Sequence, residues 1–473
     1  MLRKTLNQFP LAKPYLVVTA IGILLFWPTW IRLAGEWLKW EQVLAHGLPT
    51  FLIFIGLLLI HPPRPSSRLA SGFSILGSIA LLAVVALWAL LELVRIDTLS
   101  YLMLPAGLMA LAWALLGLGH AFRYLPYVLL FSLSLPIWSD LVPFLVSLAT
   151  AVVTRAVSAL GITALIEGAH ISLPYGRLVI ADGCSGIRYF AISILLAMMT
   201  SILNDFRWKG WLAAIATGAA LALVVNWVRI TALVVIAYQS NMESSLVTDH
   251  ETFGWVIYAA FVVPVMLLAP VKKRLQTPEG QPPRLINTGF AVVAVAFLLG
   301  PVGISLAHSR AGSPEPWAVS LPTASASMPA QLPVKLNFPE DLEHKVWRVS
   351  HGAWLSLAQS LKTNPDQKLV PYLPPRINSN DWFLANRDAE TGVRIYQNLL
   401  NRQQVAVGER FHVGSHVADS YLKAKLLQIP ATLAGDHRFA LVTAESPCNP
   451  RSCDSAIERV AQLLDTTILE SAN

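Results

Sequence analysis

Nine mostly apolar runs, each about long enough to cross a bilayer, succeed one another through the first 307 residues of the chain. They are read at Tyr15–Ile31, Val43–Ile60, Phe73–Val94, Tyr101–Gly119, Tyr124–Ala149, Ser185–Leu203, Trp211–Ala237, Trp255–Pro270 and Thr288–Leu306. A helix rises about 1.5 Å per residue, so about 20 apolar residues span the hydrocarbon core. Within lipid every backbone polar group needs an internal partner, which leaves helices as the only fold for such runs. The run Tyr124–Ala149 is interrupted by Pro126, Pro136 and Pro143, and Val152–Leu165 reads as an interfacial helix or part of a re-entrant segment. Charged residues are 13% of the chain, against about 25% in soluble proteins. This excludes a disordered chain and most soluble enzymes. The net charge of +7 does not point to nucleic acid, because the apolar runs contradict that partner and membrane proteins concentrate Lys and Arg in cytoplasmic loops.

Those basic residues predict an orientation. Arg3, Lys4 and Lys13 place the N-terminus in the cytoplasm, and the first run, with no small-residue cleavage site after it, reads as a retained span. With alternating runs, the other cytoplasmic loops hold Arg64 and Arg68, then Arg123, then Arg207 and Lys209, then Lys272, Lys273, Arg274 and Arg284. The opposite loops carry mixed charges, Arg32 with Glu36 and Lys39, and Arg95 with Asp97. The odd number of spans sends the C-terminus to the other side.

Three domains follow: a membrane domain over 1–307, a linker rich in Pro, Ala and Ser over 308–340, and a small extracytoplasmic α+β domain over 341–473. In the last, Trp347–Leu361, Val413–Leu427 and Ser455–Glu470 read as helices, and Gly392–Asn398 and Arg438–Thr443 as strands. The fold class is thus a polytopic all-α membrane protein of eight or nine spans with a soluble α+β domain. There are three cysteines, so no disulfide framework carries the fold. Cys448 and Cys453 flank a short loop where one disulfide is expected on the oxidising side. Two free thiols, or a weak metal pair with no other ligands, are the alternatives. No metal or cofactor pattern is found.

Three segments carry candidate chemistry. In Leu178–Phe190, an extended piece ends at Asp182-Gly183, and Cys184-Ser185-Gly186 leads into an apolar helix. A thiol at a helix start gains from unpaired amides and the positive helix end, which favour thiolate and can hold an oxyanion. Gly183 and Gly186 would let another chain approach the sulfur. Taken alone, Cys184 also reads as a small apolar residue packed in a helix. Arg229 lies inside an apolar run, in Asn226-Trp-Val-Arg-Ile230, with Asn226 on the same helical face. An intramembrane arginine is a functional-site signal, although one at a helix end also snorkels to water. His250, in Thr248-Asp-His-Glu-Thr-Phe-Gly254, has the chemistry of a general base toward a thiol, with Asp249 or Glu251 to orient it; alone it reads as a loop histidine. The charge-derived topology puts all three at the same outer face. His170 is the rival base, Arg188 the rival cation, and Arg177 a weaker one.

This constellation resembles the exosortase/archaeosortase family of membrane cysteine transpeptidases. The likeness rests on Ala181-Asp-Gly-Cys-Ser-Gly-Ile-Arg188, on Asn226-Trp-Val-Arg229 and on His250 ahead of the next span, within a core of about 100–270. The resemblance implies Cys184 as nucleophile, Arg229 as transition-state cation and His250 as acid/base, with Asn226, Ser185, Gly186, Arg188 and Asp249 in support. It implies exported proteins as substrates, each ending in a short motif, a transmembrane helix and a basic cluster. It also implies the inner membrane as the location, with site and C-terminal domain extracytoplasmic, and an association with exopolysaccharide production. Residues 341–473 carry no motif that assigns them. The rival class is a polytopic transporter or flippase for polysaccharide or lipid precursors, in which Arg229 binds an anionic headgroup and Cys184 is incidental.

Overall fold

A computed structural model describes residues 2–39, 44–64, 72–167, 170–180, 182–269, 287–309, 315–320, 332–339, 342–349, 352–361, 367–374, 376–378, 381–450 and 452–471. The chain divides into two compact units, residues 1–88 with 97–301, and residues 302–473 with 89–96.

The membrane part is built from α1 (Leu2–Leu25), α2 (Trp27–Trp37), α3 (Gly47–Ile60), α4 (Ile75–Leu93), α5 (Asp97–Leu116), α6 (Leu118–Ser132) and α7 (Val142–Ala159). The strands β1 (Leu165–Glu167), β2 (His170–Leu173) and β3 (Gly176–Val179) follow. Then come α8 (Ile187–Leu203), α9 (Trp208–Gln239), α10 (Ser245–Thr248), α11 (His250–Leu268), α12 (Asn287–Phe297) and α13 (Gly303–Ser309). Among the described residues six helices are long and apolar enough to cross a membrane, or seven if the bent pair α1–α2 counts as one span; α3 and α8 are shorter apolar helices.

Prolines set the breaks. Pro28, at the start of α2, lacks the amide that would continue α1, and the two helices meet at 94°. The run Tyr124–Ala149 is not one span: the chain leaves α6 before Pro136 and re-enters a helix at α7, which begins with Pro143 near its N-terminus. Nor is Val152–Leu165 an interfacial helix, since its first half completes α7 and its last residue opens β1. The strands form an antiparallel meander in the order β1-β2-β3. Ile171, Leu173 and Ile180 pack it onto Val153 and Val157 of α7 and Ile230, Val234 and Ala237 of α9.

Helices α7, α8 and α11 each pack against α9. At about 1.5 Å per residue its 32 residues reach about 48 Å, longer than a bilayer core. Its buried stripe, Ala222, Val225, Asn226, Arg229, Ile230, Leu233, Val234 and Ala237, keeps a 3–4 residue spacing, so two polar side chains share the packed face with aliphatic ones. Arg64 donates to Asp205 at 2.7 Å and Arg123 to the Arg64 carbonyl at 3.0 Å, which gathers the loops after α3 and α8 and the start of α6 at one end. Arg68, Lys272, Lys273, Arg274 and Arg284 lie outside the described residues.

The second unit holds β4 (Trp317–Ser320), β5 (Glu343–Val349), β6 (Ala353–Leu361), β7 (Trp382–Arg387), β8 (Arg394–Asn398), β9 (Gln404–Val413) and β10 (His416–Ala418). It ends with α14 (Tyr421–Ala434), β11 (Arg438–Pro447), α15 (Asp454–Thr466) and β12 (Ile468–Ser471). An antiparallel sheet runs β5-β6-β11-β9-β8-β7, with β10 on β9 and a separate β12-β4 pair. Phe439 and Leu441 face the layer containing α14, and Ala440, Val442 and Ala444 face the layer containing α15. Both sides of β11 are therefore core. Cys448 and Cys453 are joined by a disulfide.

Three expectations for this region are corrected. Trp347–Leu361 is not a helix but the end of β5 and all of β6. A central strand covered on both faces has no polar alternation, and its apolar residues then imitate helical spacing. Val413–Leu427 ends β9, forms β10 and only then enters α14, which Ser420 caps. The helix at Ser455–Glu470 stops at Thr466, and the chain turns into β12. The strands expected at Gly392–Asn398 and Arg438–Thr443 are β8 and the first part of β11. Within the range 308–340 expected to be a linker, Trp317–Ser320 forms β4 and Val334 and Leu336 are buried in the second unit, while residues 310–314, 321–331 and 340 lie outside the described residues.

Candidate active site

Cys184 closes a short 3-10 turn, Asp182–Cys184, two residues before Gly186, which caps α8. It is the free cysteine of the described residues and is partly buried. The thiol therefore stands just ahead of the helix, three residues before Ile187. The Ile187 amide is already taken, by Ser185 Oγ at 3.3 Å. Gly186 turns the chain with a left-handed φ of +80°. A Cβ there would stand 2.5 Å from Cγ of Asn226. The glycine thus makes room for Asn226 rather than for an incoming chain, whereas a Cβ on Gly183 would meet nothing within 4 Å.

Asn226 uses that space. Its Nδ2 donates to the Cys184 carbonyl at 3.1 Å, while its Oδ1 is buried without a hydrogen-bond partner. One turn on, Arg229 is 2% exposed. It donates through Nη2 to the His250 carbonyl at 3.1 Å and lies 5.6 Å over the ring of Tyr189. Its Nε and Nη1 are buried without hydrogen-bond partners. An unmatched buried donor costs about 1–3 kcal/mol, more when charged, so these atoms are suited to an oxygen acceptor brought in by a ligand. Gly254 lets the guanidinium pass: a Cβ there would stand 2.4 Å from Nε and 2.2 Å from the Tyr189 hydroxyl.

His250 is the first residue of α11 and is exposed. Asp249 does not orient its ring; it caps the helix, accepting from the Thr252 amide at 3.3 Å. Glu251 does not orient it either, but forms an ion pair with Arg188. A cavity of ≈ 80 Å³ is lined by Gly183, Gly186, Arg188, Tyr189, Arg229, His250, Glu251 and Trp255. The structure therefore brings the cation and the histidine to one cavity, and Cys184 adjoins it through Gly183. The thiol side packs toward the cluster that holds Trp227 and Val247.

The rivals stand elsewhere or do other work. His170 opens β2 and Arg177 lies in β3, and neither lines this cavity. Arg188 lines it beside Arg229 but is engaged by Glu251. Sequence reasoning missed Tyr189, Gly254 and Trp255. Tyr189 stacks on Tyr258 at 4.9 Å and meets Trp255 edge-on at 5.2 Å, an aromatic wall beneath the guanidinium. Gly254 was findable, being four residues after His250 and so on the same face of its helix.

The apolar helices, with a second unit built on a sheet, define a polytopic membrane protein with a small soluble domain. Residues 37–268 match the family model described as transmembrane exosortase, and the membrane part of the chain, which holds Cys184, Arg229 and His250, belongs to that family. No curated protein and no solved structure matches the chain.

Proposed function

We propose that the protein is a cysteine peptidase or transpeptidase that cleaves C-terminal sorting signals of exported proteins at the outer face of the inner membrane. The observation that carries this reading is the double grip of α9: Asn226 holds the Cys184 turn and Arg229, one turn later, holds the start of α11 at His250. On this reading one helix sets the spacing of nucleophile, cation and base, as transition-state positioning requires. On this reading the N-terminus is cytoplasmic and residues 341–473 are extracytoplasmic.

The substrate's transmembrane helix docks beside the bundle and its motif enters the cavity. The Cys184 thiolate attacks the scissile carbonyl carbon, whose π electrons move onto oxygen. Arg229 donates to that oxyanion from the nitrogens that have no partner in the free protein. The C–N bond then breaks, the imidazolium of His250 protonates the departing amine, and a thioester remains. Water or an amine attacks the thioester, His250 takes its proton, and the thiolate is released.

The test is to produce Cys184→Ala beside an exported protein ending in a motif, a transmembrane helix and a basic cluster. Accumulation of the uncleaved substrate supports the proposal. Normal processing ends it and returns the site to the headgroup-binding role of a transporter.

A further inference from the structure

The second unit contains a cavity of ≈ 390 Å³ in which Trp317, His412, Ser415, Arg438 and Thr467 meet. Its size falls in the range of small-molecule sites, about 300–1,000 Å³. Its wall is built, not incidental. His412 stands opposite Ala440 of β11, which puts it on the same sheet face as Arg438 two residues earlier. The backbone of Trp317 is fixed on both sides of its Cα by Gln359, whose Oε1 accepts from the Trp317 amide at 3.0 Å and whose Nε2 donates to its carbonyl at 3.3 Å. The Arg438 guanidinium lies 4.9 Å over the Trp317 ring, and His412 meets that ring edge-on at 6.2 Å.

The charges of this wall decide what it takes. Arg438 grips Asp436 with two hydrogen bonds, Nε to Oδ1 at 2.9 Å and Nη2 to Oδ2 at 2.8 Å. The Glu315 carboxylate acts on it as well. An incoming anion would find this cation already matched and a carboxylate beside it. Burial and the nearby Arg410 push the His412 imidazole down to about 4, so the ring is neutral at physiological pH and offers one donor and one acceptor. The Ser415 hydroxyl adds a donor and an acceptor, the Thr467 hydroxyl, which donates to the Leu463 carbonyl at 2.6 Å, adds an acceptor, and Ile468 and Leu469 add apolar surface beside the largely buried Trp317 ring. Uncharged polar groups of both kinds around an apolar patch match a ring with hydroxyls on its rim and C–H groups on its faces. We infer that this cavity binds a neutral saccharide, one or two sugar rings of a glycan.

The inference is independent of the peptidase reading, so Cys184→Ala should leave sugar binding unchanged. Full-length protein in lipid nanodiscs, free of sugar-headed detergent, is titrated by saturation-transfer NMR. The neutral probes are cellobiose, maltose and N,N′-diacetylchitobiose, and the anionic probes are glucuronate and inorganic phosphate. At least one neutral disaccharide should bind tenfold or more tightly than either anion. His412→Phe, which keeps the ring shape but removes both polar nitrogens, and Ser415→Trp, which fills the space, should each weaken that binding tenfold or more. Melting temperature reports whether each variant is folded, and either folded variant suffices. Failure of every neutral probe to bind, preference for an anion, or unchanged affinity in a folded variant overturns the inference.

Discussion

Asn226 Nδ2 donates to the Cys184 carbonyl across 3.1 Å, and it reaches that oxygen because position 186 has no side chain. The contact ties a turn that precedes α8 to the buried stripe of α9. It fixes the backbone of the candidate nucleophile while leaving the sulfur to other neighbours.

Gly186→Ala should therefore be costly. A left-handed φ of +80° costs an L-residue about 1–2 kcal/mol, and the new Cβ would stand 2.5 Å from Asn226 Cγ. Asn226→Ala should lose the same grip without the strain, at about 1–3 kcal/mol for the abandoned carbonyl. Gly183→Ala meets nothing within 4 Å and should be far milder. Substrate processing, together with the maleimide labelling rate of Cys184, the free thiol, distinguishes these outcomes. Equal loss at positions 183 and 186 would show that the asymmetry is unimportant.

Much of this unit was legible because lipid imposes one rule on every apolar run. The runs at Phe73–Val94, Tyr101–Gly119 and Trp211–Ala237 correspond to α4, α5 and α9 within a few residues. Prolines were visible, but not which of them end a helix: Pro105 and Pro126 lie inside helices, whereas the chain breaks before Pro136. The side chains of the site were named from their chemistry. Their arrangement was not, because it depends on absent atoms at Gly186 and Gly254 and on the Tyr189 ring under Arg229. In the second unit β6 was misread because Leu355 and Leu357 pack on one layer and Ala358 on the other, which erases the period of two.

Arg229 offers a sharper test of the cavity. Arg229→Lys keeps the charge but cannot place donors at the Nε and Nη1 positions that lack partners. Turnover should fall by about 10²-fold or more, the usual loss for one oxyanion donor. Gly254→Ala should mimic it from a neighbouring helix, since its Cβ would stand 2.4 Å from Nε. Processing rates measured at matched protein levels check both. A Lys variant as active as the parent would remove Arg229 from the chemistry.

Asp249 and Glu251 flank His250 but act on structure. Asp249→Ala should cost about 1 kcal/mol by uncapping α11, and Asp249→Ser should restore processing because serine also caps. Glu251→Gln breaks an ion pair whose side chains are 61% and 32% exposed, so stability should change by less than about 1 kcal/mol. Thermal melts and processing rates of the three variants check this. Failure of serine to rescue would return Asp249 to a charge-based role.

Glu445 predicts a pH effect in the second unit. Its carboxyl is fully buried in β11; one oxygen accepts from the Val334 amide at 2.9 Å and the other has no hydrogen-bond partner. Burial pushes its pKa up to about 8, against 4.5 for a free carboxyl. Between these values the unfolded chain has released a proton that the folded chain keeps. Folding then takes up a proton, and stability falls as pH rises from about 4.5 to about 8. His412 acts in the opposite sense at lower pH. Its pKa is pushed from 6.5 down to about 4, so its contribution to stability is present above 6.5 and is lost as pH falls toward 4. Glu445→Gln keeps an acceptor for Val334 without titrating. It should gain on the parent by a few kcal/mol by pH 8, because each tenfold change in proton affinity on folding is worth about 1.4 kcal/mol. Hydrogen exchange of β6, β9 and β11 amides in the full-length protein, parent against variant at each pH, cancels the intrinsic exchange rates and reads the difference directly. A gap that stays constant from pH 5 to pH 8 would mean that Glu445 is ionised in the folded state.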